Sequence, residues 1–260
     1  MSKKAILAVS FGTTYINSLE KSISAVEKRF IADFPDYDVK RAFTSNIVRK
    51  KLLENYGMKI NSVSEALEEL KNQGYEEIIC QPTHIINGEE YDKMCKMIDG
   101  YKDKDKFKSV IIGRPLISLS NDYNLLIDAL DKEKAIDKNS ETIYLLMGHG
   151  TEHYSNAVYP ALDYYLKAKG YNNVFVGTVE GFPEISNIIA QLNGRIERIV
   201  IFPLMLVAGD HAINDMAGDD ENSWKSILER MGFNVECRIK GLGEYPSVQV
   251  LYSNHIREVI

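Results

Sequence analysis

Two segments of the first half of this chain recur in the second half, and this internal repeat constrains the fold more than any other feature of the sequence. The segment AVSFGTT matches LLMGHGTE, so that Phe11 aligns with His149. The segment EEIICQPTHIINGEE matches ERIVIFPLMLVAGDH, so that Glu90 aligns with His211. A repeat that relates the two halves of a chain predicts two similar structural units within it.

Short β-branched runs alternate with amphipathic helical stretches along the whole sequence. This alternation predicts an α/β fold with parallel strands and crossover helices. The predicted strands are 5–10, 37–43, 77–81, 109–113, 142–147, 173–178, 198–202 and 235–239. The clearest helix, 63–73, follows the capping-box sequence SVSE. We predict an N-terminal half, 1–130, and a C-terminal half, 141–260, separated by a polar, lysine-rich stretch.

The repeated segments end where strands end, and parallel α/β sheets bind ligands outside the carboxyl ends of their strands. If the two halves face each other across a pseudo-two-fold axis, Phe11, Glu90, His149 and His211 approach one cleft. The repeat therefore predicts a site to which both halves contribute.

Composition excludes several classes of function. The chain is 45% hydrophobic, but its apolar runs are far shorter than the ~18 residues of a membrane span. Its start shows no signal-peptide pattern, so we expect a cytoplasmic location without membrane association. The net charge of -6 argues against a nucleic-acid partner. The three cysteines form no C-x-x-C pair, which argues against a disulfide framework or a sulfur-ligated metal.

Two histidines at matched strand ends are the first candidates for chemistry. His149 lies in MGHG and His211 in LVAGDHAIND. Neutral imidazole is both a metal ligand and a base near neutral pH, although a loop histidine or a solvated histidine at a helix start would fit each position alone. Glu180, in GTVEGFPE, could add a hard oxygen ligand or be a simple turn carboxylate. Glu90 becomes a candidate functional residue because it aligns with His211 in the repeat.

A second pattern, H-x-x-E-H, covers His149, Glu152 and His153 and is typical of zinc metallohydrolases when it lies on a helix. Two glycines bracket His149 directly after a strand, and glycine disfavours a helix there. We therefore expect His153 to begin the following helix instead. His84 and His255 have no partner pattern and are interpreted as structural.

Several longer motifs together resemble the anaerobic cobalt chelatases, a family of class II chelatases. They are VSFGTTY, RAFTSNIVRKKL, HIINGEEYDKM, MGHGTEHY, PLMLVAGDHAINDMAGDDENSWK and GLGEYPSV, and the resemblance runs from residue 3 to about residue 258. It implies two Rossmann-like subdomains and ATP-independent insertion of Co(II) into sirohydrochlorin or precorrin-2, with no organic cofactor. It also implies that His149, Glu180 and His211 bind the metal and that Glu90 holds a functional position.

Sirohydrochlorin is a polycarboxylate, so an acidic protein needs local cations to bind it. Arg41, Arg49, Lys50 and Arg114 are the candidates by loop position, and Phe11 is the aromatic candidate. Because imidazole and carboxylate also suit iron, nickel and zinc, Fe(II) insertion for siroheme and Ni(II) insertion stay open, as does a non-catalytic tetrapyrrole or metal carrier. The sequence leaves a homo-oligomer possible.

Overall fold

The computed structural model describes residues 2–102, 107–192, 196 and 198–260. It divides the chain into two compact units, Met1–Ser118 with Gln249–Ile260, and Leu119–Val248. Glu197, the first residue of the second repeated segment, lies outside the described residues. Within the described residues, no helix is both long enough and apolar enough to cross a bilayer.

Unit 1 is built on four parallel strands, which are β1 (Lys4–Ser10), β2 (Asp38–Phe43), β3 (Glu77–Pro82) and β4 (Ser109–Ile112). Their order in the sheet is β2-β1-β3-β4. The register places Ile6 opposite Ile79 and Leu7 opposite Cys80. Residues 5–10 of β1 are buried on both faces, as expected for a parallel strand covered by helices on each side.

The helices of unit 1 lie between these strands and at the end of the chain. They are α1 (Ile16–Ser18), α2 (Ser24–Asp33), α3 (Asn46–Tyr56), α4 (Val63–Asn72) and α5 (Glu89–Asp99). A π-helical turn, Leu19–Ile23, joins α1 to α2. The predicted capping box of α4 is present: Ser62 Oγ accepts from Glu65 N at 3.2 Å, and Glu65 Oε2 accepts from Ser62 N at 2.7 Å.

Unit 2 repeats the same sheet topology. Its strands are β5 (Ile143–Gly148), β6 (Val174–Thr178), β7 (Ile199–Pro203) and β8 (Val235–Cys237), in the order β6-β5-β7-β8. Its helices are α6 (Ser120–Lys132), α7 (Val158–Ala168), α8 (Ile185–Ile189) and α9 (Trp224–Arg230), and α10 (Pro246–Arg257) begins at its end. All eight predicted strands are present, and the predicted α/β class with parallel sheets is confirmed.

Two helices are divided differently from the prediction. The predicted N-terminal half contains most of α6, which lies in unit 2, and the predicted C-terminal half contains α10, most of which lies in unit 1. In α6, Tyr123 stacks on Tyr165 of α7 with ring centroids 4.6 Å apart, so α6 packs within unit 2. In α10, the buried Tyr252 donates its hydroxyl to the carbonyl of Thr83 at 2.8 Å, so most of α10 packs within unit 1. The two units therefore differ from the predicted halves 1–130 and 141–260. The side-chain contacts of α6 and α10, and not their order along the chain, decide to which unit each helix belongs.

Candidate metal site

Three candidate side chains follow three neighbouring strands of unit 2. His149 comes directly after β5, Glu180 comes two residues after β6, and His211 lies beyond β7. The sheet order β6-β5-β7 makes these strands adjacent, and the chain direction across the sheet reverses between β5 and β7. Such a switch point is where open α/β sheets bind ligands at the carboxyl ends of their strands. The topology thus brings the three loops to one edge of the sheet.

The three side chains converge closely enough to share one metal ion. One ligand atom from each of His149, Glu180 and His211 lies within 4.8 Å of the others, and no other such group of histidine, cysteine or acidic residues occurs in the described part of the chain. The two imidazole rings meet edge to face with centroids 4.6 Å apart. His149 Nδ1 lies 3.8 Å from Glu180 Oε2. Two imidazoles and a carboxylate suit a first-row divalent metal.

Each imidazole is oriented through its Nδ1 atom. His149 Nδ1 lies 2.9 Å from the carbonyl oxygen of Gly150, to which it donates a hydrogen bond. His211 Nδ1 lies 2.6 Å from Asp215 Oδ2, across the π-helical turn Ala212–Met216. Because Nδ1–H is the donor in both rings, Nε2 is the atom left for a metal. A π-helical turn is rare and occurs frequently at functional sites.

The loops that carry His149 and Glu180 are in backbone contact. Glu180 N donates to the carbonyl of His149 at 2.8 Å. Gly150 has φ +85°, and a Cβ atom at this residue would lie 2.7 Å from Gly181 N. Only glycine therefore fits at position 150, both for its backbone conformation and for this close approach.

The H-x-x-E-H pattern does not form the helix that a zinc metallohydrolase needs. Residues 149–152 lie outside any helix, and His153 caps the 3-10 turn Tyr154–Ala157. His153 Nδ1 accepts from Ser155 N at 3.3 Å. The expectation that His153 begins the next helical turn is confirmed, and the metallohydrolase alternative lacks its geometry.

Glu90 lies in the first turn of α5, in unit 1, and is half-buried. Burial alone would raise the pKa of its carboxyl, but the hydrogen bond from Lys93 and the nearby Thr44 hydroxyl outweigh that effect and leave the pKa below its usual value. Lys93 Nζ lies 2.9 Å from Glu90 Oε1. Glu90 is therefore a carboxylate at neutral pH. That it faces the three residues of unit 2 stays a prediction.

The candidates for substrate binding all lie in unit 1. Phe11 follows β1 and is half-exposed. Each of the three predicted arginines already pairs with a carboxylate: Arg41 with Glu27, Arg49 with Glu65, and Arg114 with Glu258. Lys50 is exposed and lies 3.8 Å from Glu54. A substrate carboxylate would have to displace an internal partner from each arginine, so these roles stay predictions.

Three polar residues around these positions were missed or underrated by the sequence patterns. Asp215 orients His211, and its spacing of four residues is the signal that could have found it. Asn156 contacts two loops at once, for which the sequence carries no signal. His84, interpreted as structural, has both ring nitrogens buried without a hydrogen-bond partner among the described residues. His255, by contrast, has its Nδ1 3.2 Å from the carbonyl oxygen of Arg114, as a structural histidine would.

Comparisons with known proteins identify relatives of this chain over almost its full length. A family model described as "Cobalt chelatase (CbiK)" matches residues 4–260. The "Sirohydrochlorin cobaltochelatase" of Salmonella typhimurium is 39% identical over 259 residues, which cover 99% of this chain and 97% of the relative. The "Sirohydrochlorin cobaltochelatase CbiKC" of Nitratidesulfovibrio vulgaris is 30% identical over 261 residues, covering 100% of this chain and 92% of the relative.

Two solved structures share the fold at low sequence identity. SirB from Bacillus subtilis, with Fe3+, has a TM-score of 0.66 at 13% identity and covers 98% of this chain and 95% of its own. CbiX, described as the terminal enzyme for biosynthesis of siroheme in denitrifying bacteria, has a TM-score of 0.55 at 15% identity, with coverages of 99% and 100%. At these identities the likeness concerns the fold alone.

Proposed function

This chain belongs to the cobalt chelatase (CbiK) family, and we propose that it inserts Co(II) into sirohydrochlorin without using a nucleotide. The resemblance read from the sequence motifs is thereby confirmed. One structural observation carries the assignment of the site: His149, Glu180 and His211 converge within 4.8 Å at the carboxyl ends of adjacent strands.

In this proposal the three residues hold the incoming metal. His149 and His211 bind Co(II) through Nε2, and Glu180 binds it through a carboxylate oxygen. Three protein ligands leave further coordination positions open, as in catalytic metal sites, so water and then a pyrrole nitrogen can occupy them. The side chains of His149 and Glu180 are about half exposed, which supports access by a large ligand. The same donor set binds Fe(II) and Ni(II), so selection of cobalt is a separate property to be measured.

Proton release must accompany insertion. Two pyrrole N–H groups lose their protons as one divalent cation enters, which leaves the total charge of the macrocycle unchanged. An imidazole cannot accept a proton at Nε2 while that atom binds the metal, but it can do so once the metal has moved to the substrate. Glu90 is the proposed second acceptor, because it is a carboxylate at neutral pH, and its lowered pKa makes it a weak base.

The acidic side chains of sirohydrochlorin call for cations, and we propose Arg41, Arg49 and Arg114 for this role together with Phe11 for contact with the ring. Their guanidinium groups support this role, and Arg114 also follows the carboxyl end of β4, whereas Arg41 lies within β2 and Arg49 within α3. Arg41 and Arg114 make bidentate pairs inside unit 1, which show how each would bind a substrate carboxylate after exchange, whereas Arg49 contacts Glu65 through Nη2 alone. The cytoplasmic location and the homo-oligomer also stay predictions.

A metal-insertion assay tests the proposal. The purified chain is incubated anaerobically with sirohydrochlorin and Co(II), Fe(II) or Ni(II), and the absorption spectrum of the macrocycle is followed. We expect the chain to accelerate cobalt insertion and H149A and H211A to lose nearly all of this acceleration, because each removes a metal-binding nitrogen. H153A is the matched control, since His153 is a nearby histidine outside the cluster, and it should retain activity. A chain that binds both substrates but leaves the insertion rate unchanged would be a carrier.

A further inference from the structure

Asn156 joins two loops of unit 2 through the two ends of its side-chain amide. Its Oδ1 atom accepts from the backbone N–H of Thr151 at 3.1 Å. Its Nδ2 atom donates to the carbonyl oxygen of Phe182 at 2.7 Å. Asn156 itself lies in the 3-10 turn Tyr154–Ala157, between β5 and α7. One side chain thus makes a hydrogen bond to each of two loops that follow different strands.

These are the loops that carry two of the three proposed metal ligands. Thr151 is two residues beyond His149, and Phe182 is two residues beyond Glu180. The loops also touch through Gly181, where a Cβ atom would lie 2.5 Å from Asn156 Oδ1 and 3.0 Å from Thr151 N. The close packing leaves little room for either loop to shift while the amide of Asn156 stays in place.

The chemistry of the contact requires an amide. The Thr151 N–H needs an acceptor and the Phe182 carbonyl needs a donor, and an asparagine side chain offers both within one planar group. A carboxylate of the same size would satisfy only the N–H and would place negative charge beside the carbonyl oxygen.

We propose that Asn156 is a positioning residue for metal binding, which holds His149 and Glu180 at the separation that a single divalent ion needs. The inference rests on the proposed function insofar as these two residues are the ligands. Residues that orient metal ligands typically contribute a factor of ~10–100 in metal affinity.

The test measures Co(II) binding to the full chain by calorimetry with cobalt chloride, and the visible absorption of bound Co(II), which reports its coordination. We expect N156A to bind Co(II) ~10–100-fold more weakly than the unchanged chain and with an altered spectrum. N156D should also weaken binding, although it keeps the shape of the residue and the bond to Thr151. N187A is the matched control: Asn187 Oδ1 accepts from Glu184 N at 2.9 Å at the start of α8, so this variant loses a comparable bond near the same loop. It should bind Co(II) unchanged.

A double-mutant cycle separates positioning from general stability. N156D breaks the bond to the loop of Glu180, so in an E180Q background, where that ligand is already lost, N156D should cost little additional Co(II) affinity. If the losses of Co(II) affinity caused by N156D and by E180Q added fully in the double variant, Asn156 would act independently of Glu180. This result would overturn the proposal.

The failure of this inference and the failure of the proposed function give different results. If H149A lowers Co(II) affinity while N156A and N156D bind like the unchanged chain, only the role of Asn156 is wrong. If H149A also binds Co(II) normally, the metal site itself is wrong. If N156A does not fold, the comparison of N156D with N187A decides.

Discussion

At the scale of single residues, the contact between His211 and Asp215 shows how one ring nitrogen of a candidate metal ligand is fixed. The 2.6 Å contact places the ring proton on Nδ1 and directs Nε2 away from the turn. A second bond of the same spacing, from Asn214 Nδ2 to Asp210 Oδ1 at 3.0 Å, braces the same turn. The contact with Asp215 restricts the rotamers of His211, which would lower the entropy lost on metal binding there.

We predict that D215N weakens Co(II) binding by a factor of ~10–100, because a neutral amide is a weaker acceptor for Nδ1–H and can turn its NH₂ group toward the ring. Calorimetry on the folded variant measures this. D219N is the control, since Asp219 is almost fully exposed and pairs with Lys225. An unchanged affinity in D215N would mean that the turn alone orients His211.

The substitution Glu90→Gln tests whether Glu90 accepts a proton or binds the metal. Glutamine keeps the size of the side chain but cannot accept a proton from a pyrrole. We therefore expect turnover to fall by ~10²-fold or more, with Co(II) affinity nearly unchanged. Single-turnover insertion rates and calorimetry provide the two measurements. If E90Q instead abolished Co(II) binding and kept normal turnover at saturating metal, Glu90 would be a ligand and the histidines the only bases.

At the scale of secondary-structure elements, the segment after β3 has a hydrogen-bonded backbone and a histidine, His84, whose ring nitrogens are buried. His84 accepts a hydrogen bond from Leu116 N at 2.9 Å through its carbonyl oxygen. Its side chain as a whole is partly exposed, but both ring nitrogens are buried. Burial lowers the pKa of the imidazole to about 4, although the nearby Glu90 charge opposes this shift.

This shift predicts a pH-dependent stability. Below the ordinary imidazole pKa of ~6.5, the unfolded chain holds a proton at His84 that the folded chain excludes, so the free energy of unfolding should decrease as the pH falls from 6.5 toward 4. The decrease amounts to about 2 kcal/mol between pH 7 and pH 5. Urea denaturation of the unchanged chain and of H84Q at both pH values measures it, and the carboxylates common to both chains cancel in the difference. Parallel pH profiles of the two chains would show that His84 is not protected in the folded state.

At the scale of the whole molecule, the two units have the same strand order, and each has its own apolar core. In unit 1, the core includes Leu7, Leu67 and Met94, and in unit 2 it includes Leu145, Ile201 and Trp224. The last residues of the chain belong to unit 1, although unit 2 precedes them in sequence. Folding of unit 1 therefore requires contacts between residues that are far apart along the chain, which slows folding in comparison with local contacts.

We predict that Y252A destabilises unit 1 by about 3–5 kcal/mol, because it removes a fully buried ring together with the hydrogen bond to Thr83. Hydrogen exchange followed by mass spectrometry should show faster exchange in β1, β2, β3 and β4. Y164A is the control, since Tyr164 on α7 is 75% exposed. Faster exchange confined to β5, β6, β7 and β8 would contradict the assignment of α10 to unit 1.

The patterns and motifs of the sequence were enough to predict the eight strands, the capping box of α4 and the three residues that converge at the candidate metal site. Strand patterns depend on neighbours along the chain, and the motif around His211 is long and specific, whereas His149 was supported by its match to a second histidine at a strand end and Glu180 by the family resemblance. The glycines beside His149 likewise predicted that the H-x-x-E-H pattern would not form a helix.

Tertiary contacts alone set the distances between the three side chains, the unit to which α6 and α10 each belong, and the partners of the arginines. The hydrogen bond from Asn156 to the carbonyl of Phe182 joins residues 26 positions apart, and nothing in either loop's own sequence indicates the other. Such contacts follow from the order of strands in a sheet and from the packing of side chains between elements, and these depend on the whole chain at once.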